Sequence, residues 1–74
     1  MFTFRVQYKN GQFDDFKSIE TVKYLDILGV DVVISSDEIL TANFPIGPNY
    51  HLFGPTRNYS VLGDDVRSIS VIKE

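Results

Sequence analysis

Seventy-four residues with seven Lys and Arg against ten Asp and Glu carry a formal charge of −3, and cysteine and tryptophan are both absent. That length allows one domain, residues 1–74, which must be stable without disulfides or thiolate zinc sites. No run approaches the ~20 apolar residues of a membrane span, and a pI of about 4.9 speaks against the basic stripe that a phosphate backbone demands.

In chain order, Phe2, Phe4, Val6 and Tyr8 alternate with Thr3, Arg5, Gln7 and Lys9, the period of two that marks a half-buried strand. Asn10-Gly11 follows, a dipeptide suited to the two positive φ angles of a type I′ turn, and Gln12 to Phe16 returns as the partner strand. Residues 19–28 are ambiguous. Ile19, Val22 and Leu25 share one helical face, whereas the β-branched Ile19, Thr21, Val22 and Ile27 favour a strand closed by Gly29; a strand is expected and a short helix stays open. Asp31 to Ser35 is a further short strand, Ser36-Asp37-Glu38 a turn, and Ile39 to Phe44 an extended run ended by Pro45. Gly47-Pro48 and Gly54-Pro55 bracket the short run Tyr50-His51-Leu52-Phe53. Tyr59 to Leu62, a turn at Gly63-Asp64-Asp65, and Val66 to Ile72 read as a closing pair of strands. The expected fold is all-β with at most one short helix, a small antiparallel meander curled into a barrel or sandwich.

Two segments fifty positions apart echo each other. Asp14 to Lys23 aligns without gaps on Asp64 to Lys73, sharing both Asp, the Ser, an Ile and the final Lys. Phe16 and Ile19, like Val66 and Ile69, are three apart, which breaks strict alternation. A β-bulge at Lys17-Ser18 and at Arg67-Ser68 would return both apolar residues to one face. The Asp pairs are read as structural, bonding the backbone amides of tight turns.

The stretches Val6 to Gly11, Asp15 to Ile19 and Val66 to Val71 resemble small uncharacterised β-strand-rich proteins of low-GC Gram-positive bacteria and their phages and mobile elements. The resemblance covers mainly the first 24 and last 12 residues. It implies a fold type and a genomic setting, and it carries no catalytic residue.

Chemistry is sparse. His51 is the only imidazole, there is no cysteine nucleophile, and no serine sits in a Gly-x-Ser-x-Gly elbow. Neither a calcium loop nor a phosphate-cradling glycine motif is present. No catalytic residue, metal or cofactor is therefore expected, and the chain reads as a non-enzyme.

The segment from Phe44 to Tyr59 concentrates aromatics and Arg57 among Pro and Gly. Tyr and Arg carry binding hot spots, so Tyr50, His51, Phe53, Arg57 and Tyr59 are the candidate partner-binding residues, with Tyr50, Arg57 and Tyr59 expected at the surface. Of Phe44, Leu52 and Phe53, two are expected in the core. The leading expectation is a protein-binding module, an inhibitor or adaptor of a host protein in the phage setting, or a homodimer formed through an open sheet edge. The alternative is a small-barrel nucleic-acid-binding protein in which Tyr50, Phe53 and Tyr59 stack bases, although the net negative charge disfavours nucleic acid. The opening residues show no basic segment followed by an apolar core, so no signal peptide is expected and a cytoplasmic location follows.

Overall fold

Apolar residues at every second position, as in Phe2, Phe4 and Val6, mark the opening strand. The computed structural model describes all 74 residues, with seven strands and one 3-10 turn: β1 (Phe2–Tyr8), β2 (Phe13–Ile19), β3 (Thr21–Leu25), β4 (Asp31–Ile34), β5 (Tyr50–Phe53), β6 (Asn58–Val61), the turn Gly63–Asp65, and β7 (Val66–Lys73). They assemble into two antiparallel sheets, β2-β1-β7 and β4-β3-β5-β6. The architecture is thus the open, two-sheet form of the expected all-β fold, and the barrel is not closed. Phe2, Phe4 and Val6 of β1 face Val22 and Tyr24 of β3 and Tyr50 and Leu52 of β5 in one twelve-residue core. Residues 19–28 are strand up to Leu25, interrupted at Glu20, and a turn beyond it.

The bulges anticipated from residue spacing are both present. Phe2 pairs with Ile19 but Phe4 with Phe16, so Lys17-Ser18 holds one residue too many. On the other flank of β1, Gln7 pairs with Ser68 but Tyr8 with Val66, so Arg67 is the extra residue. The bulged parts of the two echoing segments therefore lie in the two strands that flank β1, while the last three residues of the first segment belong to β3. The first bulge has an architectural consequence. Ser18 adopts φ 61°, and the resulting bend lets β2 run through Glu20 alone into β3 of the other sheet, a sandwich corner. The Ser18 amide donates to a Glu74 carboxylate oxygen at 2.7 Å, and the Thr3 hydroxyl donates to the same oxygen at 3.0 Å. These donors hold the Glu74 carboxyl below the usual range, the Ser18 bond being the larger cause. A left-handed φ costs an L residue ~1–2 kcal/mol, more when it is β-branched. Ser18→Val is therefore expected to lower the urea midpoint by the equivalent of ~1–2 kcal/mol, and Ser18→Gly to leave it unchanged or raise it. Equal midpoints for the two variants would show that the corner does not need this conformation.

Four local expectations are corrected. The β1–β2 loop has three residues, not two. Tyr8 N donates to Gln12 O at 2.7 Å and Gly11 N to Tyr8 O at 3.0 Å. Only Gly11 takes a positive φ, 89°, while the Asn10 side chain accepts from Gln12 N. This is a type I turn with a glycine bulge rather than type I′. Ile39 to Phe44 is not a strand. Glu38 N bonds Ser35 O and Thr41 N bonds Glu38 O, so consecutive turns wind the segment and drop Ile39 into the core while Leu40 stays outside. Strands β6 and β7 do not pair with each other; the turn at Gly63–Asp65 carries the chain from one sheet to the other. The Asp pairs do not cap turns. Asp15 receives two hydrogen bonds from the Arg5 guanidinium, at 2.7 and 3.0 Å, and Asp14 accepts from the Tyr8 hydroxyl at 2.8 Å. The Arg5 partnership holds the Asp15 carboxyl below its ordinary range. Burial, and then the Asp14 bond, push the Tyr8 phenol up to about 12. Asp65 takes part through its carbonyl, which accepts from Lys9 N at 2.8 Å.

Candidate functional site

The five residues singled out from sequence do not form one patch. Tyr50 is a correction: it is 1% exposed and belongs to the core. Its ring lies 5.0 Å from Tyr24 and 5.8 Å from Phe4 between centroids, and its hydroxyl donates to the Pro45 carbonyl. Burial, and then the charge of a neighbouring Tyr24 phenolate, drive the Tyr50 phenol pKa upward. Alternation along β5 turns Leu52 inward with Tyr50 and leaves His51 and Phe53 on the outer face, Phe53 at 38% exposure. Of Phe44, Leu52 and Phe53, it is therefore Leu52 and Phe44 that join the core.

His51 Nδ1 lies 3.2 Å from Ser60 Oγ across the strand pair. Both side chains lie on an exposed sheet face, and the other cross-strand neighbour of His51 is Lys23. No carboxylate orients the imidazole as a triad would require. His51 and Phe53 line a depression of about 500 Å³ with Leu25, Asp31 and Pro48. Arg57 and Tyr59 line a separate depression of about 280 Å³, beside the β2 bulge, with Lys17, Ser18 and Gly54. Tyr59 is half-buried, its ring 5.0 Å from Phe16. An array of stacked bases would need Tyr50, Phe53 and Tyr59 on one open face; here one is buried, one faces outward and one leans on the core. The Arg5 guanidinium, a cation that such a reading could draw on for phosphate, is occupied by Asp15. No three His, Cys, Asp or Glu side chains gather at metal-binding distance.

The conspicuous surface feature lies elsewhere. The β3–β4 connection is a three-residue loop, Ile27-Leu28-Gly29, in which Gly29 takes φ 78°. Asp26 organises it from both ends. Asp26 N donates to Val30 O and Gly29 N to Asp26 O, each at 2.9 Å. The Asp26 carboxylate accepts from Leu28 N and Val30 N, also at 2.9 Å. So fixed, the loop holds Ile27 at 99% and Leu28 at 84% exposure. Beside it, Pro45, Ile46 and Pro48 join Leu25 and Ile27 around a depression of about 510 Å³. Ile46 and Leu25 are themselves exposed. The sequence does carry a signal for this site. Asp26-x-x-Gly29 is a turn pattern, and it moves Ile27 and Leu28 out of the strand to which their apolar character assigns them.

Comparison with known proteins finds no matching family, no similar curated protein and no similar solved structure.

Proposed function

We propose that the chain is a non-enzymatic protein-binding module that docks through the apolar tip of the β3–β4 hairpin and the Pro45–Pro48 segment beside it. The observation that carries this reading is the near-complete exposure of Ile27 and Leu28 on a loop whose backbone is closed by Asp26. Burying an aliphatic side chain of this size is worth ~1.5–3 kcal/mol, and the chain forgoes that gain twice at adjacent positions. The four hydrogen bonds around Asp26 mean that little loop entropy remains to be lost when a partner covers the tip. Pro45 and Pro48 stiffen the neighbouring wall in the same way. The module occupies a surface of another protein rather than transforming a substrate, as an inhibitor or adaptor does; the resemblance to small phage and mobile-element proteins is compatible with that role.

The test is an Ile27→Ser/Leu28→Ser double variant. Both side chains are solvent-exposed, so its urea midpoint is expected to stay within ~0.5 kcal/mol of the parent's. A partner protein retained by the tagged parent should bind the variant at least about tenfold more weakly, the equivalent of ~1.4 kcal/mol. A partner that binds parent and variant equally would remove the hairpin tip as the docking site.

A further inference from the structure

We infer that two copies of the chain pair through their β4 edges, joining the two four-stranded sheets into one of eight strands. This edge is a different surface from the hairpin tip, and pairing there does not depend on the tip.

Strand β4 has β3 on one side and no strand on the other. The phase of its ladder follows from the hairpin closure. Asp26 N donates to Val30 O, so 26 and 30 are a hydrogen-bonded pair. Alternation in an antiparallel ladder then makes Tyr24–Val32 and Val22–Ile34 the bonded pairs. The N–H and C=O groups of Asp31 and Val33 must therefore point away from β3. No turn or loop hydrogen bond reaches them. Both residues are exposed, Val33 at 58%. The side chains of Val30, Val32 and Ile34 share the opposite, core-facing side, and Val30 is exposed there as well. Val30 to Ile34 is thus an edge with free amides and an unfinished apolar row.

A two-fold axis at Val32 completes both features. Asp31 of each copy meets Val33 of the other, and each meeting exchanges two main-chain hydrogen bonds, four in all. Val32 lies beside Val32 of the second copy in the closer, non-bonded type of pair, and Val30 extends over Ile34 of the second copy. Charge selects this register. Sliding by two residues in one direction sets Asp31 against Asp31 of the second copy, which is repulsive. It also draws on Gly29, whose amide is already bonded within the turn. Sliding the other way calls on Ser35, whose carbonyl already accepts from Glu38 N. In the favoured register Asp31 falls in line with Val33 and then Lys23 of the second copy, because Lys23 is the cross-strand neighbour of Val33.

The size of the edge sets the strength: Val30 to Ile34 contributes five residues a side, against about 20–30 in stable complexes. The dimer should be weak and depend on concentration.

Sedimentation across a concentration series, with amide exchange followed by NMR on the labelled chain, tests the inference. The mass is expected to rise from 8.4 kDa towards twice that value as concentration enters the high-micromolar range. Exchange of the Asp31 and Val33 amides should slow in step, while the Val32 and Ile34 amides, bonded within each copy, change little. Val33→Pro removes one outward donor at an edge position that tolerates proline, and should remain monomeric throughout. Ile27→Ser/Leu28→Ser should dimerise like the parent, which separates this interface from the hairpin tip. A parent that stays at 8.4 kDa into the millimolar range would overturn the pairing. So would a dimer whose Asp31 and Val33 amides exchange as fast as in dilute solution. If Val33→Pro fails to fold, exchange in the parent decides alone.

Discussion

Replacing Tyr50 with alanine is expected to abolish the cooperative unfolding transition, or to shift its urea midpoint by the equivalent of ~3–5 kcal/mol. A domain of this size has a total stability of only about 4–11 kcal/mol, so the variant would be largely unfolded or close to it. The ring stands among Phe4, Tyr24 and Phe44 at centroid distances of 5.8, 5.0 and 6.1 Å. It thereby ties β1, β3 and the turn segment ahead of β5 into one cluster, and no neighbour can collapse into its space without leaving another contact. Tyr50→Phe keeps the ring and loses only the bond to the Pro45 carbonyl, a change of ~0.5–1.5 kcal/mol. A large difference between the two variants assigns the role to packing; similar small shifts would refute it.

The same residue imposes an alkaline limit. Burial drives the folded-state pKa of the Tyr50 phenol upward, so the neutral form is favoured in the fold. Its contribution is complete below the unfolded value of about 10 and is lost as pH rises from there, since the unfolded chain ionises first. Tyr8, pushed up to about 12, adds to the same slope. Tyr50→Phe should flatten the fall in melting temperature above pH ~10 without removing it.

The second large effect is expected at Gly63. A Cβ built there would lie 2.1 Å from Gly47 O and 2.3 Å from Pro48 O, both backbone atoms. The residue is buried, and its amide donates to the Asn49 side chain at 2.8 Å. Overpacking ordinarily costs ~1–3 kcal/mol by shifting side chains. Here a loop backbone must move instead, so Gly63→Ala should cost ~3 kcal/mol or more, read as a fall in the urea midpoint. Because the displaced atoms belong to Gly47 and Pro48, which line the depression beside Ile27, partner binding should weaken as well. A midpoint equal to the parent's would show that the 47–49 loop yields freely. Local sequence gives no hint of this constraint, since Gly63 reads as an ordinary turn glycine and its partners are some fifteen positions away.

How far local pattern reached can be followed strand by strand. The alternation of Phe2, Phe4 and Val6 announced β1 and its buried face correctly. The three-residue spacing of Phe16 to Ile19 and of Val66 to Ile69 was enough to locate both bulges. Each of these rests on the two-residue period of a strand, which acts between neighbours along the chain. Ile39 to Phe44 misled because β-branched residues also suit a segment that winds back over an open flank of the core.

By itself the sequence determined the strand-rich class, the hairpin between β1 and β2 and the two bulges, all consequences of side-chain alternation and turn chemistry. Only the tertiary structure decided which face of β5 is the inside and which apolar residues stay outside the core. Tyr50, hydrophilic enough at one end to suit a surface, is buried because β3 and β1 close over it from different sheets. Ile27 and Leu28, apolar enough for a core, stay in solvent because Asp26 ends the strand one residue before them. Burial depends on which distant residues arrive opposite, and periodicity along one strand does not specify that partner.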